Sequence, residues 1–128
     1  MLKIHNPATL APPASRYSHA VEIPAGARLL FVAGQVGVRV DGTVAEGFEA
    51  QCEQAWQNLR QALRAGGMDF ADLVRVNYYL LDRADVATSR AVRDRFIAGT
   101  PPASTLCIVK SLASAAWLFE IEAVAAKA

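Results

Sequence analysis

Two carboxylates stand two residues apart in Trp117-Leu-Phe-Glu-Ile-Glu-Ala-Val124, shortly after a Ser/Thr pair in Thr100-Pro-Pro-Ala-Ser-Thr-Leu-Cys-Ile-Val-Lys110. Both stretches read as strands. Alternation puts Phe119, Ile121, Ala123 and Ala125 on one face and Leu118, Glu120, Glu122 and Val124 on the other. An unpaired carboxylate inside a sheet core costs several kcal/mol or shifts its pKa. At least one acid therefore belongs at a cleft or a subunit boundary, where it could move protons. The remaining chemistry-bearing residues are less suggestive. Ser104 and Thr105 have no Gly-x-Ser-x-Gly around them, so they form no nucleophile elbow. Gly34-Gln35-Val36-Gly37 lacks the lysine and the glycine spacing of a phosphate loop. His5 and His19 have no partners at metal-ligand spacing, and Cys52 and Cys107 are too few for a disulfide framework or a zinc knuckle. No metal site is expected.

Those side chains need a scaffold, and 128 residues suffice for one domain, residues 1–128, that buries roughly two thirds of its unfolded surface. Hydrophobic residues make up 53%, but no apolar run approaches the ~18–20 residues of a membrane span. The N-terminus lacks the apolar stretch of an export signal. A reduced, cytoplasmic setting follows as the expectation. The net charge is +1, from 13 basic and 12 acidic residues. With no Lys/Arg block, nucleic acid is not an expected partner. The apolar fraction is high for so short a chain, which suggests that a partner subunit covers part of the surface.

Along the chain, the prolines of 5–15 mark an irregular lead-in. Strands are expected at Tyr17–Ile23 and Arg28–Val36, with an Asp41-Gly42 hairpin signal in Val38–Val44. A helix is expected from about Gly47 to Ala65, with Phe48, Cys52, Ala55, Leu59, Ala62 and Leu63 as its core stripe and Gly66-Gly67 as its stop. Asp72–Leu81 reads as a strand. Asp85–Ile97 reads as a second helix with Val86, Ser89, Val92, Phe96 and Ile97 on one side. Strands at about Ala103–Val109 and Leu118–Ala126 close the chain. The order ββ(β)αβαββ specifies an α+β fold: one mixed sheet with two amphipathic helices on one face. Its other face needs cover too, and oligomerisation supplies it.

Read with its residues, this order resembles the Rid family (RidA/YjgF) of reactive-intermediate deaminases over nearly the whole chain. Tyr17 in the first strand, Phe31-Val-Ala-Gly-Gln35, the helix with Gln51, Gln54 and Asn58, Asp72-Leu-Val-Arg-Val-Asn-Tyr-Tyr-Leu-Leu-Asp82, and Pro102-Ala103 with Glu120-Ile-Glu-Ala-Val124 carry the likeness. The resemblance implies a chorismate-mutase-like fold and a homotrimer that packs its sheets into a central barrel, with a cleft between each pair of neighbours. It implies hydrolysis of enamine or imine acids to ammonia and a 2-oxo acid without metal or organic cofactor. An arginine would hold the substrate carboxylate, and a glutamate matching Glu120 would orient or activate water. Tyr17, Ala33, Gly34, Arg90, Ser104, Thr105 and Leu106 are the matching candidates for binding substrate.

The chain departs from that family where its signature reads Pro-Ala-Arg-Ser/Thr: Ser104 occupies the arginine position. Guanidinium grips a carboxylate with two prongs and serine offers one hydroxyl. Losing such a pair weakens a carboxylate substrate by ~3–5 kcal/mol, which argues against standard 2-imino-acid deamination. Ala33 replaces a small hydroxyl residue, and Arg90 stands where active deaminases often carry a cleft asparagine. Arg90 reads either as a cleft cation or as a solvated side chain with a snorkelling stem. Some relatives carry a cysteine at the position of Leu106. Cys107, one residue later, faces the other side of its strand and reads as a buried small hydrophobe. Glu120 reads as catalytic or as a structural carboxylate, Tyr17 as a ligand contact or an ordinary half-buried tyrosine, and Glu122 as the partner of Arg75 or another basic strand residue. Three functions compete. The chain acts as a hydrolytic deaminase of a small reactive enamine, imine or related metabolite, or as a non-catalytic trimer that binds a small metabolite. RNA cleavage, the third, is disfavoured by the charge balance.

Overall fold

The computed structural model describes residues 1–97 and 99–128. Among the described residues six strands and two α-helices follow one another: β1 (Lys3–His5), β2 (Ala20–Glu22), β3 (Arg28–Val36), α1 (Phe48–Ala65), β4 (Leu73–Leu80), α2 (Val86–Phe96), β5 (Ala103–Ile108) and β6 (Phe119–Lys127). The fold is α+β, as expected. The main sheet has the order β3-β6-β4-β5 and is mixed. β6 runs antiparallel to β3 and β4, whereas β4 and β5 are parallel. The parallel pair needs a crossover, and α2 supplies it.

Both helices lie on one face because only their apolar stripes match it. α1 buries Cys52, Ala55, Trp56, Leu59 and Leu63, spaced at three and four residues. Trp56 is fully buried and stacks on Phe96 of α2 at 5.7 Å, with Phe70 edge-on at 5.6 Å. The sheet contributes Val32, Val76, Leu80, Phe119, Ile121 and Ala123 to the same core. α1 stops where the Gly67 N–H turns back to the Arg64 carbonyl and the Met68 N–H to that of Leu63. Gly67 takes φ +73°, a left-handed value that glycine adopts without strain. Asp82 starts the turn before α2 by accepting the Ala84 N–H at 2.9 Å.

Two expectations at the chain's start are corrected. The strand over Tyr17–Ile23 shrinks to Ala20–Glu22, because the Tyr17 N–H bonds back to Ser15 and that of Ser18 to Pro102. Tyr17 and His19 therefore lie outside any strand. β2 pairs with Lys3–His5, so a two-stranded ribbon stands beside the main sheet in place of one continuous sheet. The Asp41-Gly42 turn forms, with Gly42 at φ +88° and the Asp41 carboxylate accepting the Thr43 N–H at 2.9 Å. It is flanked by a single Val38–Val44 bridge and no strands. No helix of the described residues is long and apolar enough to cross a membrane.

Candidate functional site

The sheet face away from the helices is uncovered. Phe31 is 75% and Leu29 52% exposed. Pairing aligns Glu120 with Tyr79, Glu122 with Asn77 and Val124 with Arg75. The parallel partner places Thr105 beside Asn77 and Cys107 beside Tyr79. Alternation thus makes a polar band of Glu120, Glu122, Asn77, Tyr79 and Thr105 across three strands.

Within this band the two glutamates differ. Glu122 accepts the Tyr79 hydroxyl at 2.5 Å and the Asn77 amide at 3.2 Å. The hydrogen bond to the carboxylate pushes the Tyr79 phenol up to about 12, with burial adding to it. The expected pairing of Glu122 with Arg75 does not form; Arg75 donates instead to the Thr105 hydroxyl at 3.2 Å. Glu120 is half-buried, and burial raises its carboxyl pKa, helped by the charge of Glu122. Its carboxylate lies over Gly34. A Cβ built on Gly34 would overlap Oε2 and stand 2.7 Å from Cδ. β3 carries one extra residue between Val32 and Gln35, and this bulge presents Ala33 and Gly34 at the carboxylate's edge of the sheet.

Two polar side chains of α1 hold these strand ends in place. Asn58 donates to the carbonyls of Val36 and Val38, and Gln54 donates to the Asn58 side chain. Gln51 donates to the Ala116 carbonyl at 3.0 Å and accepts the Leu118 N–H at 2.8 Å, just before β6 begins. The helix therefore sets where Gly34 and Glu120 sit. Gly37 is needed for this contact, since a Cβ there would meet the Gln51 Cα at 2.5 Å.

A second cluster forms between α2 and the β5 edge, in a cavity of about 440 Å³. Tyr17, Arg90, Ser104, Thr105 and Leu106 line it. Glu120, Ala33 and Gly34 do not. One protomer thus brings five of the eight candidates together, Thr105 reaching the cavity from the edge of the polar band, and leaves Glu120, Ala33 and Gly34 outside it. Arg90 is exposed and contributes to the wall. Arg83 and Arg93 share the lining and were not singled out from the sequence. Their spacing of seven and three from Arg90 was the available signal. A cavity of similar size beside the chain ends, lined by Ile4, Val21, Leu73 and Ala126 among others, contains none of the candidates.

The cysteines invert one expectation. Cys107 is exposed, not buried, because β5 is an edge strand and its outer face is uncovered. Cys52 is buried, and desolvation pushes its thiol up to about 12. The histidines are locally satisfied: His19 Nε2 lies 2.7 Å from the Ala11 carbonyl and His5 Nε2 2.9 Å from Glu22. Tyr17 packs edge-on against His19 at 5.8 Å, and its hydroxyl accepts the Ala14 N–H.

Comparison with known proteins agrees with this architecture. The family model described as endoribonuclease L-PSP matches residues 8–127. Protein DfrA of Myxococcus xanthus is 35% identical over 115 residues, covering 85% of this chain and 83% of its own. The mouse 2-iminobutanoate/2-iminopropanoate deaminase is 31% identical over 121 residues, covering 93% and 84%. A Rid-family protein of unknown function from Yersinia pestis, YyfB, superposes with a TM-score of 0.88 at 34% identity, over 97% of each chain. The match over residues 8–127, the shared fold and relatives above 30% identity along most of their length establish that this chain belongs to the Rid family.

Proposed function

We propose that the chain is a hydrolytic, cofactor-independent Rid-type enzyme, a single domain that works as a cytoplasmic homotrimer on a small reactive enamine, imine or related metabolite. The observation that carries this reading is the division of the candidates. Glu120, Ala33 and Gly34 lie on an uncovered, partly apolar sheet face, and the pocket with Tyr17, Ser104, Thr105 and Leu106 lies at the β5 edge. A ring of copies that buries Phe31 and Leu29 would set one protomer's acid against its neighbour's pocket. Glu120 suits the chemistry because its pKa is raised, so both protonation states are accessible nearer neutrality. It takes a proton as water oxygen bonds to the imine carbon. That proton passes to nitrogen, which receives the C=N π pair, to give a carbinolamine; Glu120 then carries the carbinolamine's hydroxyl proton to the same nitrogen as the C–N σ bond breaks, leaving a carbonyl and ammonia.

Ser104, in place of the family arginine, favours a substrate other than the standard 2-imino acid. It also supports the second reading, a trimer that binds a metabolite without turnover. Iminopropionate generated in situ separates the two: release of pyruvate above the buffer rate, lost in Glu120→Gln, supports catalysis. Calorimetric binding of 2-oxobutyrate without turnover supports the second reading. A folded monomer at micromolar concentration by light scattering would remove both. We expect RNA not to be retained by the protein on a filter, even at low salt.

A further inference from the structure

The polar band treats its two acids unequally. The Tyr79 hydroxyl and the Asn77 amide both donate to one oxygen of Glu122, Oε1, at 2.5 and 3.2 Å. Glu120 receives no side-chain hydrogen bond among the described residues. Yet Tyr79 is the residue directly opposite Glu120 in register. Its phenol is turned along the strands to serve Glu122 and leaves the nearer acid without a donor. Asn77 is equally committed. Its Oδ1 is buried without a partner, and the reversed amide would instead set that oxygen against the Glu122 carboxylate. Side chains two apart on one strand face stand about 6.5 Å from each other, close enough for the charge of one to act on the other. The rest of the surroundings add little charge. β3 brings Ala33 and Gly34 to Glu120, Cys107 lies beyond Tyr79, Arg75 is turned to Thr105 at 3.2 Å, and α1 packs on the opposite face.

We propose that Glu122 is a positioning residue for Glu120: locked by Tyr79 and Asn77, it stands as a fixed negative charge that makes Glu120 the member of the pair that exchanges protons. Two identical side chains take different roles because their surroundings differ. Burial and the charge of Glu122 act on Glu120 in the same direction, both favouring its protonated form. Glu122 and Tyr79 act only through Glu120. The assignment rests on the deaminase reading for the use made of the proton, and on the strand geometry for everything else.

Carbon-13 NMR titration of the glutamate carboxyls tests it, the Glu120 signal being identified by its loss in Glu120→Gln. Glu122→Gln keeps an oxygen for Tyr79 and Asn77 and removes only the charge, so the Glu120 midpoint should fall towards the ordinary glutamate value. Glu122→Asp keeps the charge on a shorter side chain, so its midpoint should stay above that of Glu122→Gln. A Glu122 that merely braced the sheet would give the reverse order, with aspartate disturbing Glu120 and glutamine harmless. Tyr79→Phe keeps the ring and frees the Glu122 carboxylate to turn into water; the midpoint should fall there too, by less than in Glu122→Gln. Glu53→Gln, on α1, changes the net charge alone and should leave the midpoint in place. A midpoint unmoved by Glu122→Gln or by Tyr79→Phe, no difference between the glutamine and aspartate variants, or an equal fall in Glu53→Gln would each overturn the assignment. With iminopropionate generated in situ, the acidic limb of kcat against pH should follow the Glu120 midpoint down in Glu122→Gln. A limb that stays while the midpoint moves would remove the positioning role. Shifted midpoints with no turnover in any variant would leave the hold of Glu122 on Glu120 standing and remove the deaminase. Turnover with an unmoved midpoint would do the reverse.

Discussion

Adding one methyl group at Gly34 and at Gly37 should have very unequal consequences, although only two residues separate the positions. Neither glycine has a left-handed φ, so alanine is conformationally acceptable at both and tightens the unfolded chain by about 0.4–1 kcal/mol. At Gly34 the new Cβ meets the Glu120 carboxylate, the far end of a flexible side chain at a half-buried site. Turning that carboxylate aside costs about 0.5–1.5 kcal/mol, so the net change in stability stays within about 1 kcal/mol. At Gly37 the Cβ meets the Gln51 Cα at 2.5 Å, its Cβ at 2.6 Å and its carbonyl oxygen at 2.8 Å. The first turns of α1 must move. That overpacking costs about 1–3 kcal/mol, and strain on the Gln51 bonds to Ala116 and Leu118 adds about 1 kcal/mol. Gly37→Ala should therefore lose about 2–4 kcal/mol before the entropic offset. Urea unfolding followed by tryptophan fluorescence measures both variants, since Trp56, one of two tryptophans, is fully buried in the native core. Carbon-13 NMR of the Glu120 carboxyl supplies an independent readout. In Gly34→Ala its pKa should fall towards the ordinary glutamate value, because the group is pushed into water and away from the burial that raised it. Equal destabilisation by the two variants, or an unmoved Glu120 titration in Gly34→Ala, would refute the placement of that carboxylate.

The other predictions concern charge, core and thiols. Glu120 holds its proton in the folded chain at pH values where the unfolded chain has released it, so it lowers stability at neutral pH and the deficit vanishes as pH falls below the ordinary carboxylate range. Glu120→Gln should accordingly be more stable than the unmodified protein at pH 7, by less than about 1 kcal/mol because solvent screens the group, and the gap should close in acid. Tyr79→Phe should cost about 1–2 kcal/mol by removing the hydroxyl from Glu122, and absorbance titration should lose a phenol that ionises near 12. Leu59→Ala should cost about 2–5 kcal/mol in urea unfolding, as its side chain is fully enclosed by the α1 core. Ellman's reagent should find no contribution from Cys52 until urea unfolds the chain, and a Cys52→Ser variant should then lose one thiol from the denatured count.

How far the sequence reaches depends on how local the deciding physics is. Helical periodicity over residues 48–65, strand alternation in β4 and β6, and the Gly66-Gly67 stop are local, and they specify the α+β order and the core face without any tertiary information. The sequence also places Glu120 and Glu122 on the face opposite Phe119 and Ile121, since a period of two permits no other arrangement. What it does not determine is the partner of each polar group. Glu122 pairs with Tyr79 and Asn77, not Arg75, because register across β4 and β6 is set by the sheet as a whole. Cys107 is exposed because β5 is an edge, a property of strand order. Lys3–His5 is too short for periodicity to register and becomes a strand only because Ala20–Glu22 lies beside it. The arginine cavity is tertiary in the same sense. Helical spacing aligns Arg90 and Arg93, but only the parallel β4–α2–β5 crossover sets that side of the helix against Ser104.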